Sequence, residues 1–267
     1  MLHKITSAAN PTVKMLKTLT GKKGRQEAGL FLAEGARLAH EAAERGIWPD
    51  VMAVSESALE RPYAAELAAK AGRAGARVFT TTDRVLEQIA RRDNPQTIIG
   101  AYKQRWASLD DLSGSDMAVA LHEVRDPGNL GTILRSCDAT GASGVALIGQ
   151  CCDPFSVEAV RASMGSIFAT VVARAEFGEL DGWRRAANFA LIGTSLRATQ
   201  RHDEAPLSER TMILMGNEQS GLPEALERAC DRLVKIPMRG SADSLNLAMA
   251  TTVMLYDVWR RRGYAGA

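Results

Sequence analysis

Nowhere in the 267-residue chain is there an apolar run long enough to cross a membrane, which excludes a transmembrane helix. The opening stretch MLHKITSAANPTVKMLK lacks the apolar core of a secretory signal. Cysteine is scarce. Cys137, Cys151, Cys152 and Cys230 form no C-x-x-C and show no metal-ligand spacing, and adjacent Cys151 and Cys152 are poor disulfide partners. Four reduced thiols, no metal and a cytoplasmic protein are therefore expected. No histidine or cysteine reads as catalytic: His122 lies at a strand end and could act, but a lone strand-end histidine is more often structural, and no Ser–His–Asp order or paired-carboxylate spacing stands out. There is no G-x-G-x-x-G and no G-K-[ST], so neither a dinucleotide fingerprint nor a phosphate loop is present. Acid is missing from the whole N-terminal stretch: before Glu27 stand Lys4, Lys14, Lys17, Lys22, Lys23 and Arg25 with no Asp or Glu. Such a basic arm is either a solvated face or a binding surface for a polyanion, nucleic acid above all.

What is present is an α/β pattern in two parts. LFLAE, WPDVMAVSE, ARVFTT and TIIGAYK read as strands; helices are expected around 35–45, 63–71 and 85–91. The polar segment YKQRWASLDDLSGSD then breaks the periodicity. This divides the chain into an N-terminal domain at 1–106, a linker at 107–116 and a C-terminal domain at 117–267. After the linker MAVALHEV, GVALIG, FALIGTSL, TMILMG and RLVKIPM are strands, with helices in GNLGTILRSCDATG, SVEAVRASMG and the last segment. Continuously apolar strands alternating with helices predict a largely parallel sheet covered on both faces.

In such sheets ligands sit beyond the carboxyl ends of the strands. Three loops there carry unusual residues. EVRDPGNLGTILR brings Asn129 and Arg135, in a setting that also suits a tight turn and a surface arginine. LMGNEQSGLPE brackets Glu218 between glycines, where an ordinary loop acid would be solvated and inert. IPMRGSADSLNLAMATTVMLYDVW places Ser244 and Asn246 before an apolar helix carrying Leu245, Leu247, Met249, Val253, Met254, Leu255 and Val258. Asp243 or Ser244 could cap that helix, and capping does not preclude ligand contact.

NLGTILR, MGNEQSGLP and IPMRGSADSLNLAMA resemble, in order, the three motifs of the SpoU (TrmH-type) RNA 2'-O-ribose methyltransferases. The N-terminal GLFLAEGARLAHEA resembles the ribosomal-protein-like substrate-binding domain that often precedes them. The resemblance implies a trefoil-knotted SPOUT domain, S-adenosylmethionine as methyl donor, and a homodimer whose active site draws on both subunits. Carried over by position, it implies catalytic roles for Asn129, Arg135, Glu218, Ser244 and Asn246, and a cofactor pocket lined by Gly216, Ile236 and Leu245 with Thr194 and Met238 nearby. The separate N-terminal domain favours ribosomal RNA as substrate over tRNA. A tRNA 2'-O-methyltransferase and a non-catalytic RNA-binding protein retaining the fold are the alternatives. Arg135 resembles the residue assigned to activating the ribose hydroxyl; a guanidinium is a poor base, so steering phosphate and stabilising an alkoxide suit it better.

Overall fold

The computed structural model describes residues 2–266, and the chain divides into two compact units. One unit holds the chain through Arg105 together with Asp153–Phe168; the other holds Trp106–Cys152 and the remainder from Ala169.

The first unit runs β1 (His3–Lys4), α1 (Pro11–Thr18), α2 (Lys22–Ala28), β2 (Leu30–Glu34), α3 (Ala36–Glu44), β3 (Val51–Ser55), α4 (Glu56–Leu59), α5 (Pro62–Arg73), β4 (Arg77–Thr81), α6 (Asp83–Ala90) and β5 (Ile98–Lys103). Its sheet is ordered β1-β4-β3-β5-β2, with β1, β4 and β3 parallel and β5 antiparallel to both neighbours. The basic N-terminal stretch is part of this core. Asn10 caps α1 by accepting the Thr12 N–H at 2.8 Å, Pro11 supplies the first turn, and Val13, Leu16 and Leu19 are wholly buried. Arg25 is buried as well. Its Nε and Nη2 donate to Asp153 Oδ2 at 2.9 and 2.8 Å, while Nη1 donates to the Leu19 and Thr20 carbonyls. Arg25 therefore leaves the set of cations open to a polyanion. Lys4 pairs with Glu56 and Lys23 with Glu27, so Lys14, Lys17 and Lys22 are the members of that set without an ion pair among the described residues. The later segment Asp153–Phe168 completes the same core: Phe31 packs 5.1 Å from Phe155, and Tyr102 packs 4.9 Å from Phe168.

In chain order the rest comprises β6 (Met117–His122), α7 (Pro127–Thr140), β7 (Gly144–Ile148), α8 (Val157–Ser163, in the first unit), β8 (Val171–Ala175), α9 (Phe177–Ala186), β9 (Phe189–Thr194), β10 (Gln200–Arg201), β11 (Arg210–Met215), α10 (Glu224–Ala229), β12 (Arg232–Lys235) and α11 (Leu247–Arg261). The second unit's seven strands lie in the order β10-β12-β9-β11-β6-β7-β8 with every pairing parallel. Helices cover both faces, so the central strands are apolar on both: Val119, Leu121, Val145, Leu147, Leu191 and Ile213 are at most 2% exposed, whereas the outer strands β8, β10 and β12 carry exposed polar residues. The segment between the two sequence-predicted halves is ordered onto this unit. Ala107 bridges Ala173, Arg174 stacks 3.5 Å over the Trp106 ring, and Asp110–Gly114 forms a 3-10 turn.

Helices α7 and α11 pack together, with the Ser136 and Thr252 hydroxyls 2.7 Å apart. The sequence suggests an α11 buried along its whole apolar pattern. In fact Leu247, Met254, Leu255 and Val258 are buried, but Met249 (62%), Val253 (36%) and Tyr256 (41%) are exposed along one face.

Candidate active site

The strand order of the second unit reverses around β6 and β11, and loops from the carboxyl ends of β6, β9, β11 and β12 meet there, as expected for an open α/β sheet. They enclose a cavity of about 750 Å3 lined by Thr194, Leu196, Gly216, Glu218, Ile236, Met238, Ser244, Leu245 and Asn246, with Asn129 from the first turn of α7. Of the ten residues singled out in the sequence, nine line this cavity. Arg135 does not; it lies six residues beyond Asn129 on α7, exposed and without a hydrogen bond or ion pair to another described residue.

A relay of side chains ties the three motifs together. Glu218 accepts the backbone N–H of Arg125 at 3.2 Å and of Asp126 at 3.3 Å, and the Asn129 Nδ2 at 3.2 Å. Asn129 Oδ1 in turn accepts Asn246 Nδ2 at 2.9 Å. Asn246 Oδ1 accepts the N–H groups of Ala248 and Met249, so Asn246 is the cap of α11. The cap is therefore Asn246 and neither Asp243 nor Ser244: α11 begins at Leu247, which puts both outside capping position. Burial pushes the Glu218 carboxyl up, but its own backbone N–H, the Asn129 amide and the Arg125 and Asp126 N–H groups outweigh burial and hold it below the ordinary range. A carboxylate so held is a fixed anion that orders its donors, not a proton carrier near neutrality.

Local chemistry explains how each loop reaches its place. Asp126 caps α7 by accepting the Asn129 N–H at 2.6 Å, with Pro127 in the first turn. Gly216 permits a close return of the chain: a Cβ there would lie 2.2 Å from the Gly221 carbonyl carbon and 2.4 Å from the Leu222 nitrogen. The resulting turn is pinned by Asn217, whose Nδ2 donates to the Glu123 carbonyl at 2.7 Å and whose Oδ1 accepts the Gln219 and Ser220 N–H groups. Asp126 and Asn217 escaped the sequence reading. The Asp-Pro start signature announces the first, and an Asn in a Gly-bracketed turn the second.

The histidine and thiols stay outside this constellation. Burial lowers the His122 pKa, and neither His122 nor any cysteine lines the cavity. Burial pushes the thiols of Cys137, Cys152 and Cys230 up to about 12, leaving them unreactive.

The lining suits a nucleoside with a polar tail. Leu196, Ile236, Met238 and Leu245 give apolar walls, and Leu196 and Leu245 are 66% and 37% exposed, as surfaces awaiting an apolar edge would be. Loop backbone supplies donors and acceptors for a base, and Ser244, Asp126, Arg197 and Glu227 add polar groups at the wall. S-adenosylmethionine fits such a lining.

Fold and site together define a parallel α/β protein with a nucleoside-sized cavity at the switch point of its sheet. The chain belongs to the SpoU rRNA methylase family: residues 116–256 match that family and residues 10–100 match the MRM3-like substrate binding domain. The 23S rRNA (uridine(2479)-2'-O)-methyltransferase of Streptomyces viridochromogenes is 32% identical, covering 97% of this chain and 93% of its own length. A 23S rRNA (guanosine(2553)-2'-O)-methyltransferase of Bacillus subtilis is 29% identical over 96% and 99% of the two chains. A solved AdoMet-bound rRNA methyltransferase from Sinorhizobium meliloti is 42% identical, with a TM-score of 0.90 over 97% of this chain and 98% of that one.

Proposed function

We infer that this protein transfers a methyl group from S-adenosylmethionine to a ribose 2'-hydroxyl of ribosomal RNA. The observation that carries the reading is the Glu218–Asn129–Asn246 relay on the wall of the 750 Å3 cavity, because it locks the three motif loops into one rigid frame. When bound, the cofactor supplies a methyl group already electrophilic on its sulfonium. What the chain must add is orientation, since aligning two bound reactants removes much of the barrier.

Thr194, Gly216, Ile236, Met238 and Leu245 form the wall that holds the cofactor, while Ser244 and the Asn129 amide stand where the ribose enters. Glu218 keeps Asn129 and the 125–126 backbone in register. The hydroxyl proton leaves to water as the oxygen develops charge, and Arg135 stabilises that charge and the neighbouring phosphate.

Arg135 lies off the cavity wall of its own chain, and α11 leaves Met249, Val253 and Tyr256 uncovered. Both features support a homodimer in which the exposed α11 face is covered by a second copy and Arg135 serves the partner's cavity. The trefoil knot, closed by the 236–246 segment, is part of the same reading, as are a cytoplasmic location and an RNA-presenting role for the N-terminal half.

The test is transfer of tritiated methyl from S-adenosylmethionine to ribosomal RNA from a strain lacking the gene. Alkali-resistant label in a 2'-O-methylated dinucleotide is expected. Folded protein that binds S-adenosylhomocysteine yet labels no RNA would overturn the reading.

A further inference from the structure

Next to the cofactor-sized cavity lies a second, of about 490 Å3, lined by Glu123, Arg125, Asp126 and the 217–220 turn. Asp126 and residues 217–220 belong to both walls, so Glu218 and its donors stand where the two cavities meet. Resting on the methyltransferase reading, we propose that the second cavity receives a guanine base of the RNA substrate, read by Arg125 with Glu123 beside it.

Size and charge narrow the occupant. The volume is ample for a nucleoside. Three carboxylates, from Glu123, Asp126 and Glu218, face one guanidinium in the lining, a balance that repels phosphate and favours a neutral ring rich in N–H donors. Arg125 Nη2 donates to Glu123 Oε2 at 3.1 Å and both side chains are partly exposed, so this ion pair presents the remaining guanidinium N–H groups and the second Glu123 oxygen side by side at the cavity. Guanine matches that pair. Its O6 and N7 accept from an arginine fork, and its N1–H and N2–H groups donate to a carboxylate. Adenine and cytosine put an amino group where the fork needs an acceptor, and uracil offers a single ring N–H.

The backbone holds the reader in place. Glu123 is kept at φ 52, a left-handed conformation uncommon for a non-glycine residue. Its N–H donates to the Ile148 carbonyl at 3.0 Å and its carbonyl accepts Asn217 Nδ2, while Gly149 makes room for its side chain. Arg125 divides its work: the main-chain N–H fixes Glu218 and the side chain lines the second cavity. Truncating the Arg125 side chain therefore leaves the relay's backbone contact in place.

The guanine could belong to the methylated nucleotide or to a neighbour, and the experiment separates them. The modified ribose is mapped on ribosomal RNA, and transcripts are made with inosine or adenine replacing guanine at that nucleotide and at each flanking one. At one of these positions kcat/KM should fall about tenfold with inosine, which lacks the N2 amine, and about a hundredfold with adenine. The position that responds identifies the source. Arg125→Ala should lower kcat/KM on the guanine substrate about tenfold to a hundredfold, flatten the guanine/adenine ratio, and leave S-adenosylhomocysteine affinity unchanged. Arg125→Lys should recover little of the preference, since it lacks the fork. Absence of guanine from all three positions, or an Arg125→Ala protein with wild-type base preference, would overturn the proposal. A second arm does not need turnover: guanosine titrated into the S-adenosylhomocysteine complex should shift the Arg125 Nε–H resonance, and adenosine should not. Wild-type protein that labels no RNA counts against the methyltransferase reading, whereas a silent Arg125 resonance counts against the cavity assignment.

Discussion

Asn246 does two jobs with one amide, and its two ends can be separated. Its oxygen caps α11 and its nitrogen reaches Asn129. Asn246→Ala should cost about 1 kcal/mol of stability as a lost cap, and should slow methyl transfer on the order of a hundredfold if the relay orders the reacting groups. Asn246→Asp keeps the capping oxygen and loses the donor, so its melting temperature should stay near wild type while single-turnover transfer falls as in the alanine variant. At Arg135 the expected pattern differs: Arg135→Ala abolishes turnover with cofactor affinity intact, read by calorimetry and single-turnover transfer on the same sample. Glu218 adds a pH signature. Because its folded pKa is lowered, its contribution to stability is complete above the ordinary value of 4.5 and is lost as pH falls through the lower folded value. Glu218→Gln should therefore narrow its stability deficit against wild type as pH drops below about 4.5, and show a constant deficit above it, in melts across that range. Asn129, Glu218, Ser244 and Asn246 stood out in sequence only as a set: each alone has a structural reading as a turn, loop or capping residue, and it is the ordered likeness of three loops to the family motifs that singles them out, while the structure brings all four to one cavity. Asp126 and Asn217 did not stand out, because their side chains serve backbone N–H groups, and a capping residue looks the same whether or not it frames a site.

Among the elements, the long apolar strands and the amphipathic helices stand where periodicity puts them: β2, β3, β6, β7 and β11, with α3, α5 and α7. The missed ones have physical excuses. Strand β8 reads VVARA, with an exposed Arg174 stacked on Trp106, and two glycines, Gly178 and Gly182, dilute the helical signal of α9. In the acid-free stretch before Glu27 the dense positive charge masks Val13, Leu16 and Leu19, whose spacing is that of a buried helical stripe. Arg25 belongs to the same buried layer, and a buried guanidinium needs its acceptors. Its side chain and that of Asp153 are 4% and 12% exposed, so Arg25→Ala leaves a carboxylate stranded in the core and should cost about 3–5 kcal/mol. Hydrogen exchange should then show faster opening of Asp153–Phe168 than of β6 or β11, because that segment loses its anchor while the second sheet keeps its pairing.

At the scale of the whole molecule two solution properties follow. If α11 is the dimer face, light scattering should report twice 28.7 kDa, and Met249→Glu with Val253→Glu should give a folded monomer that has lost turnover but still melts cooperatively. If the lysines of the first unit hold RNA, replacing Lys14, Lys17 and Lys22 together should reduce the slope of log affinity against log salt by about two, at roughly 0.7 per phosphate contact on single strands; changing Arg25 should lower stability without that signature. Finally, the chain passes between its two compact units three times, after Arg105, after Cys152 and after Phe168. A gene cut once near codon 105 would yield an amino-terminal piece without Phe155, Phe168 and the Asp153 partner of Arg25, and a carboxy-terminal piece carrying an orphaned apolar flap. Neither fragment inherits a finished interior. In evolutionary terms the two halves are therefore poor candidates for exchange by simple end-to-end fusion, since a new amino-terminal module would have to arrive already matched to sixteen residues encoded in the middle of the other.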